Sequence, residues 1–155
     1  MIDKKKQGRR NRINGANFER RVRKDLEENW IVDRWTNNIE LQKENSVDVF
    51  GFHDGEKFIY GKCTTAKSNR FNTRTNGFPD FMAFKQYVKS DKTVLYELIF
   101  IECKINGQLD KIEREKARWY LANNYCSKFL VASKIKEKNR IKIKYKEFLH
   151  ESPTR

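Results

Sequence analysis

The chain lacks the residues on which several large protein classes depend. No stretch approaches the roughly 18 consecutive apolar residues of a membrane span, so no membrane partner is expected. The basic start, MIDKKKQGRRNR, has no apolar segment behind it and does not read as a secretory signal. Cysteine is limited to Cys63, Cys103 and Cys126. They are an odd number at wide spacings and form neither a CxxC zinc pattern nor an evident disulfide framework. The two histidines, His53 and His150, are too scattered for a histidine-based metal site. There is no internal repeat, no zinc finger and no long basic helix with a Trp/Leu face of the kind that lies on a membrane. These absences predict a cytoplasmic, intracellular protein with reduced thiols.

Acidic residues are also short relative to basic ones: Asp+Glu number 21 against 34 Lys+Arg, a net charge of +13. Such an excess points first to a polyanionic partner, nucleic acid above all. The 155 residues suit one domain with a single core, and 37% hydrophobic residues are enough to build it.

The apolar periodicity gives the order of elements. Residues 1–13 carry Lys4, Lys5, Lys6, Arg9, Arg10 and Arg12 with almost nothing to bury, which predicts a mobile basic arm able to track phosphates. A single domain over 14–150 follows. Asn14 or Asn17 can cap a helix running to about Asn29, with Phe18, Val22 and Leu26 on one face and Arg20 among the basic residues around it. WIVDRW (30–35) reads as a short strand. SVDVFGF and KFIYGKC flank a Gly-containing turn and read as a hairpin, followed by a Thr/Asn/Arg-rich loop; together they form an insert at about 36–77. FPDFMAF (78–84) and TVLYELIFIECK (93–104) are strands joined by a polar linker, QYVKSDK. Residues 109–124 form a second helix whose apolar arc holds Leu109, Ile112, Ala117, Trp119, Tyr120 and Leu121. KFLVAS (128–133) is a strand. RIKIKYKEF alternates strictly, with Lys142, Lys144 and Lys146 forming a basic outer face on an edge strand. The fold class is α/β, a mixed sheet covered by helices.

One constellation stands out. In a strand, residues two apart share a face, so Glu102 and Lys104 point one way and Ile101 and Cys103 the other. If this strand pairs with the preceding one, FPDFMAF, Asp80 can sit across from Glu102. Two adjacent carboxylates repel unless one is protonated or a cation lies between them. Mg²⁺ or Mn²⁺ suits such oxygen ligands, and the backbone carbonyl of Cys103 offers a third. Taken singly, Glu-x-Lys could solvate the end of a strand and Pro79-Asp80 could open a turn.

Pro79-Asp80 followed by Glu102-Cys103-Lys104 resembles the PD-(D/E)XK nuclease superfamily. Asn14-Gly15-Ala16-Asn17-Phe18-Glu19-Arg20-Arg21 is similar to the first-helix motif of its archaeal Holliday-junction-resolvase-like members. The resemblance covers about residues 14–35 and 77–133. It implies a restriction-endonuclease-like fold and a Mg²⁺-dependent (or Mn²⁺-dependent) DNA endonuclease, acting on duplex or branched DNA and working as a homodimer. It also implies a site of Glu19, Asp80, Glu102 and Lys104, with Asp80, Glu102, the Cys103 carbonyl and Glu19 as metal ligands. Glu113 and Lys116 fall inside the apolar arc of the second helix, where they could pair with each other or reach the scissile phosphate. Several relatives carry Gln or Lys on this helix, so Lys116 resembles a secondary site residue. The chain departs from the resolvase pattern in having Thr75-Asn76-Gly77-Phe78 where a Ser-containing loop precedes the Asp. A second acid, Asp48, precedes Tyr60-Gly61-Lys62 but lacks the acid two residues before the lysine. The alternative function is a non-catalytic, basic nucleic-acid-binding protein of the same fold.

Overall fold

A computed structural model describes residues 4–42, 60–67, 77–138 and 140–149. The expected strand 46–52, its turn, Asp48 and most of the 67–76 loop lie outside the described residues. In chain order the elements are α1 (Lys4–Glu27), β1 (Ile31–Arg34), β2 (Asn37–Gln42), β3 (Tyr60–Thr65), β4 (Phe81–Val88), β5 (Val94–Cys103), α2 (Lys111–Ala122), β6 (Lys128–Glu137) and β7 (Arg140–Glu147). Five strands form a mixed sheet in the order β1-β4-β5-β6-β7, and β2 and β3 form a separate two-stranded sheet. The class is α/β, as the alternation of apolar patterns required. Among the described residues no helix is long and apolar enough to cross a membrane.

The sheet is antiparallel except where β5 runs parallel to β6, the step that the crossover through α2 makes necessary. Its two faces are read off β5. Ile99 and Ile101 lie in one buried cluster with Phe18, Val22 and Leu26 of α1, while Phe100 lies in the other with Ala117 and Tyr120 of α2. Each of the three α1 side chains is at most 5% exposed, and burial of each stabilises the docked helix by about 2 kcal/mol. α2 starts at a capping box, in which Asp110 accepts from the Glu113 N–H and Glu113 accepts from the Asp110 N–H.

Several boundaries differ from expectation. The arm over 4–13 is helical and continuous with α1. Lys, Arg and Gln are good helix formers, and the docked half supplies the nucleus from which the exposed half extends. β2 was not expected: its Asn37-Asn38 start is poor in strand formers, yet Ile39 is buried and Leu41 partly buried against α2. The linker at 86–88 belongs to β4, paired with Val94–Tyr96. Ile112, placed in the apolar arc, is 62% exposed, because α2 docks through Ala117 and Tyr120.

Two glycines permit close approaches. A Cβ on Gly61 would lie 2.6 Å from Trp119 Nε1, so β3 passes directly under α2. A Cβ on Gly77 would lie 1.8 Å from the carbonyl oxygen of Asn37. There the chain threads beside β2, with the Gly77 N–H donating to Trp35 O (3.0 Å) and the Phe78 N–H to Asn37 O (3.0 Å). Tyr120 anchors the same segment from below: its hydroxyl donates to Phe78 O (2.7 Å) and accepts from Trp35 Nε1 (3.0 Å). The Phe78–Pro79 peptide is cis.

Candidate active site

β4 and β5 pair with Phe81 opposite Ile101, which sets Asp80 and Glu102 side by side one step further along. The ladder runs out at this point, and the two carboxylates take over its hydrogen bonds. The Asp80 N–H donates to Glu102 Oε2 (3.1 Å) and the Cys103 N–H donates to Asp80 Oδ2 (2.9 Å). Each side chain is thus fixed by backbone of the neighbouring strand. Glu102 is 6% exposed, the one charged residue among the buried side chains described.

Burial raises the proton affinity of both acids. Glu102 is pushed up to about 8, first by burial and then by the charge of Asp80, against the pull of Lys104. Asp80 is raised by burial, opposed by the Cys103 N–H, Lys104 and Arg34. Glu19, on α1, is raised by partial burial and then by Asp80, and Arg34 and Arg20 oppose the shift. Its carboxylate lies 3.7 Å from the Arg34 guanidinium. The charge of Asp80 thus acts on both Glu102 and Glu19 at this end of the sheet.

Lys104 stands on the Glu102 face, 3.2 Å from Glu102 Oε1 and in a short ion pair with Glu113. Burial pulls its proton affinity down, but the Glu113 and Glu102 contacts outweigh that and raise it overall, so the ammonium stays charged. Cys103 packs toward the α1 cluster, and burial raises its thiol far out of the reactive range. The strand alternation led us to expect that only its carbonyl would serve the site, but the thiol also hydrogen-bonds the Asp80 carboxylate, which reaches across the strand end.

Of the two alternatives for Glu113 and Lys116, the pair with each other is not formed. Glu113 is taken by Lys104 and the helix cap, and Lys116 Nζ instead donates to Asn38 Oδ1 (2.8 Å) and lies 5.8 Å from the Phe78 ring centre. A long-range contact from the end of β5 thus displaces the local i, i+3 pairing. Burial lowers the proton affinity of Lys116, while Asp110, Glu113 and Glu102 act against it.

The basic residues divide between two sides. Lys4, Lys5, Lys6, Arg9, Arg10, Arg12 and Arg20 are exposed along α1. On β7, Ile143 and Tyr145 pack toward α1, so Lys142, Lys144 and Lys146 project to the α2 side, the side of Glu102 and Lys104. Lys142 is also engaged by Glu137.

One residue of the site, Arg34, was not singled out from the sequence, and the partner of Glu113 was not foreseen. Arg34 follows Val32 at strand spacing, and an arginine on the buried face of WIVDRW was the available signal; its guanidinium lies 5.8 Å from the Phe81 ring centre. Glu113 was noticed, but its partner on β5 is fixed only by the tertiary fold.

Among the described residues, no group of three or more His, Cys, Asp and Glu side chains is drawn together in a geometry able to hold a metal by itself. The donor set at the Asp80–Glu102 step is two carboxylates with a neighbouring main-chain carbonyl, and its buried negative charge is only partly balanced by Lys104 and Arg34. That is compatible with Mg²⁺, which usually binds through one or two carboxylates and keeps several waters. Comparison of the chain with family models, curated proteins and solved structures returned no match.

Proposed function

We propose that the protein is a Mg²⁺- or Mn²⁺-dependent DNA endonuclease with a restriction-endonuclease-like core. The observation that carries the reading is the Asp80–Glu102 step: two buried carboxylates, locked to each other's strands, with a protonated lysine beside them. A purely structural role gives no reason to bury two mutually repelling acids at the end of a strand pair. The order of elements also fits the resemblance: a helix carrying Glu19, an antiparallel pair carrying Asp80 and Glu102-x-Lys104, then a helix and a parallel strand.

In this reading Asp80, Glu102 and the Cys103 carbonyl would hold the divalent ion. The ion, when bound, supplies Lewis-acid stabilisation of the phosphoryl charge and a nucleophile at neutral pH. Glu19, with its raised proton affinity, holds the attacking water and accepts its proton. Arg34 keeps the Glu19 carboxylate oriented. Lys104, pinned between Glu102 and Glu113, offsets the negative charge that develops on the phosphate. Lys142, Lys144 and Lys146, together with the exposed part of α1, grip phosphates without reading sequence.

The test is nicking of supercoiled and branched DNA with Mg²⁺ or Mn²⁺ by the parent and by Asp80→Asn. Cleavage by the parent and a loss of about two orders of magnitude or more in the variant is the expected result. Equal cleavage by both removes the site assignment. Salt-sensitive binding by the parent, with no nicking under either metal, selects the non-catalytic binding protein instead.

A further inference from the structure

The two-stranded sheet and α2 enclose an open cleft of about 620 Å³, lined by residues that include Asn38, Glu40, Thr64, Thr65, Lys67 and Lys116. None of its lining is used in the chemistry above; Lys116 is the residue that the sequence reading left able either to pair with Glu113 or to reach the scissile phosphate. The structure gives Lys116 a different setting. It is half-buried, its hydrogen-bond acceptor is the neutral amide of Asn38, and among the described residues it makes no salt bridge with a carboxylate. Glu113, its nearest candidate on α2, is committed to Lys104.

The direct contacts of this half-buried ammonium are an amide oxygen and an aromatic ring, and Asp110, Glu113 and Glu102 act on it only at a distance, so burial outweighs them and an incoming anion compensates the charge. The remaining lining is polar: the side chains of Thr64 and Glu40 bond each other (3.0 Å), and Thr65 and Lys67 are exposed along the rim. A cleft of this volume takes a ligand the size of a nucleotide or two and is too small for a duplex. Lys116 Nζ lies 5.8 Å from the centre of the Phe78 ring, two residues before Asp80, so the cleft adjoins the segment that carries that acid.

We propose that this cleft, between the β2–β3 sheet and α2, is a binding site for unpaired nucleotides of a DNA strand, with Lys116 as the ligand of their phosphate and Lys67 a second contact at the rim. The inference rests on the nuclease reading for its choice of DNA, and it sharpens that reading. The preferred substrate carries a single-stranded segment next to the cleavage point, as flaps, forks and tailed duplexes do, and a continuous duplex binds less well. It also gives the 36–77 insert a role, since Asn38, Thr64, Thr65 and Lys67 all belong to it.

Binding is measured without divalent metal, so that cleavage plays no part. The probes are a short DNA duplex with a single-stranded tail and the same duplex with blunt ends, titrated over a range of salt. The parent is expected to bind the tailed duplex roughly tenfold more tightly. Lys116→Gln should remove that preference and reduce the salt dependence on the tailed probe by about one phosphate contact, with the blunt probe unchanged. Lys67→Gln, at an exposed position where folding is not at stake, should weaken the tailed probe in the same direction. Lys116→Arg should retain the preference. Equal affinity of the parent for both probes, or equal losses on both probes in the two Gln variants, overturns the inference. So does an equally tight grip on an RNA tail, since the site would then not be one for DNA. These outcomes are separate from the nicking result: a tail preference without cleavage would leave the cleft standing and remove the nuclease.

Discussion

Replacing Glu102 by Gln should make the protein more stable while abolishing its proposed activity, and the gain should depend on pH. The side chain is almost wholly buried and its proton affinity is raised from 4.5 to about 8, burial being the larger cause and Asp80 the next. A carboxylic acid whose affinity for protons rises on folding favours the folded state while protonated. It opposes the fold increasingly as pH climbs from its unfolded value toward its folded one. With 1.36 kcal/mol per pH unit, the penalty is about 3 kcal/mol at pH 7 and about 1 kcal/mol at pH 5. Glutamine keeps an oxygen to accept from the Asp80 N–H and carries no charge, and Lys104 retains Glu113. For a chain of this size, the gain at pH 7 corresponds to a rise in Tm of roughly 6–12 °C, shrinking to a few degrees at pH 5. Thermal unfolding of both proteins across that pH range, in metal-free buffer, checks it. A variant less stable than the parent at pH 7, or a difference that does not change with pH, would show that Glu102 is not held against its charge.

Two further substitutions examine how Asp80 is delivered to the site. Gly77→Ala would drive a Cβ into the Asn37 carbonyl, and the backbone would have to move apart. A loss of about 3 kcal/mol in denaturant unfolding is expected, and an unchanged midpoint would mean that the close approach does not exist. Tyr120→Phe leaves the Phe78 carbonyl and the Trp35 indole N–H without their shared partner. It should cost about 1–3 kcal/mol, and stability within experimental error of the parent would refute the role of that hydroxyl as an anchor.

The part of the fold that was legible in the sequence is the part written by alternation. Ile99, Ile101 and Cys103 against Phe100, Glu102 and Lys104 fixed which residues of β5 share a face, and Phe18, Val22 and Leu26 fixed how α1 docks. The neighbouring positions of Asp80 and Glu102 followed from pairing two adjacent apolar strands. Three features were not legible. The exposed half of α1 has no apolar periodicity, so its helicity comes from propensity and from being joined to a docked helix. β2 has only Ile39 and Leu41 to mark it, two apolar residues among Asn, Glu and Gln, and its partner lies about twenty residues away. The partner of Glu113 depended on where the end of β5 meets the start of α2, which no local spacing encodes.

The double engagement of Glu113 ties local unfolding to electrostatics. One of its oxygens closes the cap of α2, and the other carries the ion pair with Lys104. The first turn of α2 therefore cannot fray without withdrawing half of the countercharge on Lys104. Opening of that turn, visible as amide exchange at its first residues, takes the Glu113 contact away from Lys104 and leaves it to Glu102 alone. The helix terminus acts as a clasp on the end of the sheet, and each opening of it hands the whole of the lysine's charge to Glu102.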